Sequence, residues 1–122
     1  MIRVLGPHKN LQAWKISMDL AKTVYETTMQ FPNHDRFVLS NQMQRCAISI
    51  PSNIAEGYGR GTNQELIRFL HISLGSSNEL DTQIELAHNV GFLNDDKYEE
   101  MTVLNDRVNK MIQALIKKRQ QM

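Results

Sequence analysis

The chain has 122 residues, enough for one domain and too few for two ordinary ones. Apolar residues make up 41% and charged residues 22%, which excludes wholesale disorder. Fourteen basic against thirteen acidic side chains leave a formal charge of +1, whereas a domain built mainly to coat nucleic acid or anionic lipid is far more basic.

The spacing of apolar residues is helical nearly throughout and predicts one domain over residues 1–122. In the first segment Leu11, Trp14, Met18, Ala21, Tyr25 and Thr28 recur at steps of three and four, which predicts a core-facing stripe on a helix near 10–30. Phe31-Pro32 stops it, because the residue before proline is pushed out of the α region. Asn33 to Arg36 read as a turn.

A second helix is expected over about 37–58, with Leu39, Met43, Cys46, Ile50 and Ile54 inward. Pro51 sits inside it, removes one backbone donor and clashes with the carbonyl of Ala47, so a kink or break is expected. Gly57, Gly59 and Gly61 end the segment.

A third helix, near 62–90, opens on Thr62 and Glu65 at capping-box spacing. Leu66, Phe69, Ser73, Leu80, Ile84 and Ala87 share one face. Its middle is small and includes Gly75, whose cost of ~1 kcal/mol against alanine predicts close approach of another backbone. Gly91 and Phe92 fit a Schellman ending. The fourth helix, near 95–119, has Asn94 as N-cap and Met101, Leu104, Val108, Met111 and Leu115 as its stripe. Four such segments with short connections predict an all-α, antiparallel, up-down-up-down four-helix bundle, its second helix kinked at Pro51.

Two helices carry more apolar residues than one core needs. Beside the first stripe of helix 1 run Ala13, Ile16, Leu20 and Val24; helix 4 adds Val103, Ile112 and Ile116. Either the stripes are wide, or the surplus is covered by self-association, since large apolar patches are rarely left in water. On the second reading Ile16, Leu20, Val24, Ile112 and Ile116 form the oligomer interface.

Candidate chemistry is sparse. Glu85 and His88 have the Glu-x-x-His spacing of di-iron bundles, but no second pair occurs. The glycines from Gly57 to Gly61 lack the Lys-Ser/Thr of a phosphate loop and follow no strand pattern. Cys46, the only cysteine, excludes an internal disulfide and lies on an apolar stripe as a small core residue. No Ser-His-Asp or Cys-His set is evident. Neither a catalytic activity nor a cofactor or metal is therefore expected. With no 18-residue apolar run, no membrane span is expected either, and Met1 to Asn10 lack the apolar stretch of a signal peptide, so the expected setting is the cytoplasm.

The most informative polar feature is on helix 2, where Gln42, Arg45, Ser49, Asn53, Glu56 and Arg60 recur at helical steps. Helix 3 offers Glu65, Arg68, Ser76, Glu79 and Gln83 opposite. Three readings stay open: a solvated face, a buried or intersubunit polar network pairing Arg45, Arg60 or Arg68 with Glu56 or Glu79, and a ligand or nucleic-acid surface. Lys117, Lys118 and Arg119 read as a solubilising helix end.

Leu11 to Trp14, Phe31-Pro32, Leu39 to Gln42 and above all Ser49-Ile50-Pro51-Ser52-Asn53-Ile54-Ala55-Glu56-Gly57-Tyr58-Gly59-Arg60 resemble the 23S-rRNA intervening-sequence protein family. Arg68-Phe69-Leu70 and Gly75 to Leu80 continue the match. The resemblance implies a four-helix bundle assembled as a homopentamer, in a family some of whose members are labelled ribosomal proteins. It also implies a relation to the accessory variability proteins of diversity-generating retroelements, which bind a reverse transcriptase and nucleic acid. The expectation is a non-enzymatic, homo-oligomeric binding or scaffold module. The alternative is an RNA- or DNA-binding protein, associated with the ribosome or with a nucleic-acid-processing partner.

Overall fold

Local sequence signals set the ends of four long helices. The computed structural model describes residues 7–32 and 36–122, and no strand occurs among them. A 3-10 turn, Pro7–Asn10, leads into α1 (Gln12–Thr28), α2 (Arg36–Gly59), α3 (Asn63–Asn89) and α4 (Asp95–Gln120). These bounds lie within about two residues of the sequence expectation. The turn expected at Asn33 to Arg36 falls outside the described residues for its first three positions, and α2 has begun by Arg36.

The caps behave as their chemistry requires. Thr62 Oγ1 accepts from the amide of Glu65 at 3.2 Å, and Asn94 Oδ1 from that of Lys97 at 2.8 Å. The Glu65 carboxylate turns to Arg68 at 3.4 Å, so only one half of a capping box forms. Gly91, at φ +85°, ends α3 with amide bonds from Phe92 to Ala87 (2.9 Å) and from Gly91 to His88 (3.1 Å), the two bonds of a Schellman motif. Helix α2 continues through the buried Pro51 without a break.

Each helix packs against two neighbours in the order α1, α2, α3, α4 and back to α1. Bonded pairs run in opposite chain senses along α2 and α3: Gln83 Nε2 meets Cys46 Sγ at 3.3 Å, the Ser49 and Ser76 hydroxyls share a bond at 2.8 Å, and Ser73 Oγ donates to the Ile50 carbonyl at 2.8 Å. The same holds for α3 and α4, from His88 with Asp95 to Asn63 with Arg119. Leu20, Val24, Met43, Ile50, Ile54, Leu70, Leu80, Ile84, Met101, Val108 and Ile112 are fully buried between them.

On α1 the inward face differs from the expectation: the second stripe is buried, and of the first only Thr28 is buried outright. Ala13, Ile16, Leu20, Val24 and Thr28 are buried, while Met18 (44% exposed) and Tyr25 (54%) point outward and Trp14 is half-buried. Both stripes have helical spacing, so periodicity alone could not choose. The compact aliphatic set fits the tight interior. The hydroxyls on this side bond their own helix, Ser17 to the Trp14 carbonyl at 2.8 Å and Thr28 to that of Tyr25 at 3.2 Å. The amphipathic rings and the thioether stay at the rim. On α4, Ile112 and Ile116 are likewise in the core, while Leu104, Met111 and Leu115 are half-buried. Ile16, Leu20, Val24, Ile112 and Ile116 are thus core residues of one chain and not an outer interface.

Gly75 does not make the close approach expected of it. It is exposed, with open space where a side chain would stand. The close approach lies at Gly57, where a Cβ would meet Leu66 Cδ1 and Phe69 Cβ at 3.0 Å.

Candidate functional site

The sequence-predicted polar stripe lies along the seam between α2 and α3. At its centre Asn53 Nδ2 donates to the Ser49 carbonyl (2.8 Å) and hydroxyl (2.9 Å), and that hydroxyl reaches Ser76. Further along, Arg60 Nε pairs with Glu56 at 3.2 Å and Arg68 with Glu65 at 3.4 Å. Both guanidinium carbons stand over the Phe69 ring, 4.9 and 5.0 Å from its centroid. The pairing expected of Arg60 with Glu56 forms, whereas Arg68 takes Glu65. Gln42, Arg45 and Glu79 are exposed. The seam is therefore a half-wet ladder with its cations partly neutralised. Exposed pairs of this kind are worth about 0–1 kcal/mol each.

Cys46 sits beneath this ladder, 6% exposed. Burial raises its pKa, the Gln83 amide lowers it, and Glu79 raises it again through a hydrogen bond and its charge. The thiol is held protonated, the opposite of what a nucleophile needs.

Between α3 and α4 runs a drier polar layer that sequence reasoning missed. Ser77 Oγ donates to Asn105 Oδ1 at 2.8 Å, and Asn105 Nδ2 returns a bond to the Ser77 carbonyl at 3.0 Å. Asn109 Nδ2 reaches Ser77 Oγ at 3.0 Å and Asn78 Oδ1 at 2.9 Å. Asn105 is 3% exposed. The available signal was a set of serines and asparagines at core-side helical positions. Outside this layer a notch of about 320 Å³ opens among Asn78, Asp81, Thr102 and Asp106.

At the far end of the same seam Tyr98 donates its hydroxyl to Glu85 and stacks on His88 at 4.1 Å, while His88 Nε2 meets Asp95 at 2.8 Å. The Glu85 contact raises the Tyr98 pKa. Glu85 and His88 thus each have a partner on α4. Among the described residues no group of three or more His, Cys, Asp and Glu side chains is placed to hold a metal ion. No described helix is long and apolar enough to cross a membrane.

Charge is distributed unevenly along the bundle axis. One end is formed by residues 7–15, 56–68 and 115–122, drawn together by the bond from Asn63 to the Arg119 carbonyl and by the packing of Gly57 on Leu66. It carries Lys9, Lys15, Arg60, Arg68, Lys117, Lys118 and Arg119 against Glu56 and Glu65. The opposite end includes residues 25–32 and 85–100. Those two stretches carry Glu26, Glu85, Asp95, Asp96, Glu99 and Glu100 against Lys97.

The family model for 23S rRNA-intervening sequence protein matches residues 9–114. The chain belongs to this family. A solved structure with similar architecture is that of a protein of unknown function from the S23 ribosomal protein family of Bacteroides thetaiotaomicron. It is 25% identical, with a TM-score of 0.81, over 86% of this chain and 95% of that one. No curated protein matches. The match covers α1 to α3 whole and α4 as far as residue 114, and includes the Ser49–Arg60 stretch that carried the resemblance.

Proposed function

We propose that this family member is a non-enzymatic scaffold or binding module that works as a cytoplasmic homopentamer of up-down-up-down bundles, each bent at Pro51. One observation carries the assembly: the outward stripe of α1. Trp14, Met18, Ala21 and Tyr25 repeat along it, with Met18 and Tyr25 about half exposed. Gln44 bonds Thr28 at 2.8 Å, which fixes the start of α2 beside the end of α1. Ile48, 53% exposed and one turn on from Gln44, extends the apolar surface. Large apolar side chains set side by side at helical spacing are usually covered by a partner. The number five comes from the family resemblance.

A ring uses one head-to-tail contact repeatedly, so blocking one patch should open every joint. Light scattering should give five times the 14.1 kDa chain mass. The double substitution Met18→Glu and Tyr25→Glu should give single chains that keep their helical circular dichroism. Unmodified protein at one chain mass would refute assembly; another multiple would refute only the number.

A further inference from the structure

We infer that the groove between the start of α1 and the last turns of α4 is a binding site for a medium-chain fatty acid, its alkyl chain between the helices and its carboxylate at Lys118. The groove encloses about 240 Å³. Its apolar walls are Leu11 and Ala13 at the start of α1 and Met111, Ala114 and Leu115 on α4. Ala13 and Ala114 leave the space, since a larger side chain at either place would fill the seam. Leu11, Met111 and Leu115 are half-buried and pack against the core, so this apolar surface is recessed.

The polar part of the lining fits an anion. Gln12 and Lys118 complete the wall, and no carboxylate takes part. Lys15 stands one turn on from Leu11, its amide bonded to the Leu11 carbonyl at 3.0 Å. Lys15 and Lys118 are exposed and form no ion pair among the described residues. An ammonium only donates, so the head group that suits this lining is one with acceptor oxygens and a negative charge. An apolar cleft with a few convergent polar groups is the usual form of a small-molecule site.

The size of the groove sets the tail and excludes larger occupants. At about 30 Å³ for a water-sized group, 240 Å³ takes about eight, and a methylene is of similar bulk. Met111 to Lys118 spans about 10 Å of helix axis, close to the length of extended octanoate. A stable protein partner covers about 800 Å² on each side, far more than this cleft offers. A membrane surface takes up apolar side chains that protrude, whereas these lie between two helices, where a single alkyl chain can enter. At 3.6 residues per turn Gln12 and Met18 point about 120° apart, so the groove is separate from the outward stripe of α1 and does not depend on the proposed assembly.

The test is isothermal titration calorimetry of the full chain with sodium hexanoate, octanoate, decanoate and dodecanoate, each below its micelle-forming concentration. One acid should bind per chain, tightening about three- to fourfold with each methylene until the groove is filled near eight to ten carbons. Dodecanoate should gain no more than about twofold over decanoate. Ala114→Phe places a ring in the groove from an exposed position and should weaken decanoate more than about tenfold, with unchanged circular dichroism. Lys118→Gln should weaken octanoate about fivefold and leave octanol, the same chain without the charge, unaffected. Lys117→Gln, which faces a separate hollow beside His71 of α3, should change neither. Absence of decanoate binding would overturn the inference, as would affinity that climbs through dodecanoate without levelling, full binding by Ala114→Phe, or an unchanged octanoate affinity in Lys118→Gln. Flotation with phosphatidylglycerol vesicles without a response to monomeric acid would assign the groove to a membrane surface. A changed light-scattering mass for Ala114→Phe would assign it to a second copy. Either result would overturn the proposal.

Discussion

Helix α3 meets its two neighbours in different ways. Against α2 it packs closely, with Gly57 pressed on Leu66 and Phe69; one buried hydroxyl, Ser73, bonds the Ile50 carbonyl, and the side-chain pairs Ser49–Ser76 and Cys46–Gln83 are part-buried. Against α4 it buries polarity, with Asn105 locked to both the hydroxyl and the carbonyl of Ser77. The first seam is specified mainly by shape, the second mainly by side-chain hydrogen bonding between buried amide and hydroxyl groups. A buried amide tolerates only the register in which its partners are met, so the α3–α4 seam fixes how the two helices align. A shape-matched seam is sensitive instead to single methyl groups.

The largest test of this contrast is Asn105→Ala. It removes two buried hydrogen bonds and leaves a small void, which should cost about 2–3 kcal/mol in chemical denaturation. A loss below about 0.5 kcal/mol would mean that the amide layer is dispensable to stability.

Next come two glycines with opposite expected signs. Gly57→Ala places a methyl 3.0 Å from two side-chain carbons and should destabilise by about 1–2 kcal/mol. Gly75→Ala adds its methyl to open space in an exposed helix interior and should stabilise by about 0.5–1 kcal/mol. The same denaturant titrations decide both. Equal signs would remove the claim that the α2–α3 seam is specified by shape.

Much of the fold is legible in the sequence because helix ends are local. Thr62, Gly91 and Asn94 each act within one turn of chain, and the structure places them as caps. What is not local is the choice of face. On α1 the stripe through Trp14 and Met18 and the stripe through Ile16 and Leu20 have equivalent periodicity, and only the shape of the facing helices selects the second. For the same reason the interface residues proposed from sequence turn out to be core. The polar stripe of α2 is real as spacing, but Gln42, Arg45 and Glu79 are exposed while Ser49 and Asn53 bond across the seam. The charged ends emerge only in three dimensions, where Arg60 and Lys117, far apart in sequence, share one surface.

The smallest expected effect is a pH dependence at the α2–α3 seam. In the folded chain burial raises the Cys46 pKa above its ordinary value of 9.0, Gln83 lowers it, and Glu79 raises it further. The native state therefore keeps the thiol proton to higher pH than the unfolded chain does. The stability tied to that proton is fully present below 9.0 and is lost as pH rises through 9.0 towards the raised native value. Thiolate formation would set a charge in an apolar position near Glu79, with the Gln83 amide as its one side-chain donor among the described residues. Cys46→Ala removes the titrating group while keeping a small apolar side chain. Denaturant midpoints between about pH 8 and pH 10 should fall less steeply for this variant than for the natural chain. Parallel curves would show that the thiol is solvated where it sits, and would leave the α2–α3 seam without a titrating contribution from its interior.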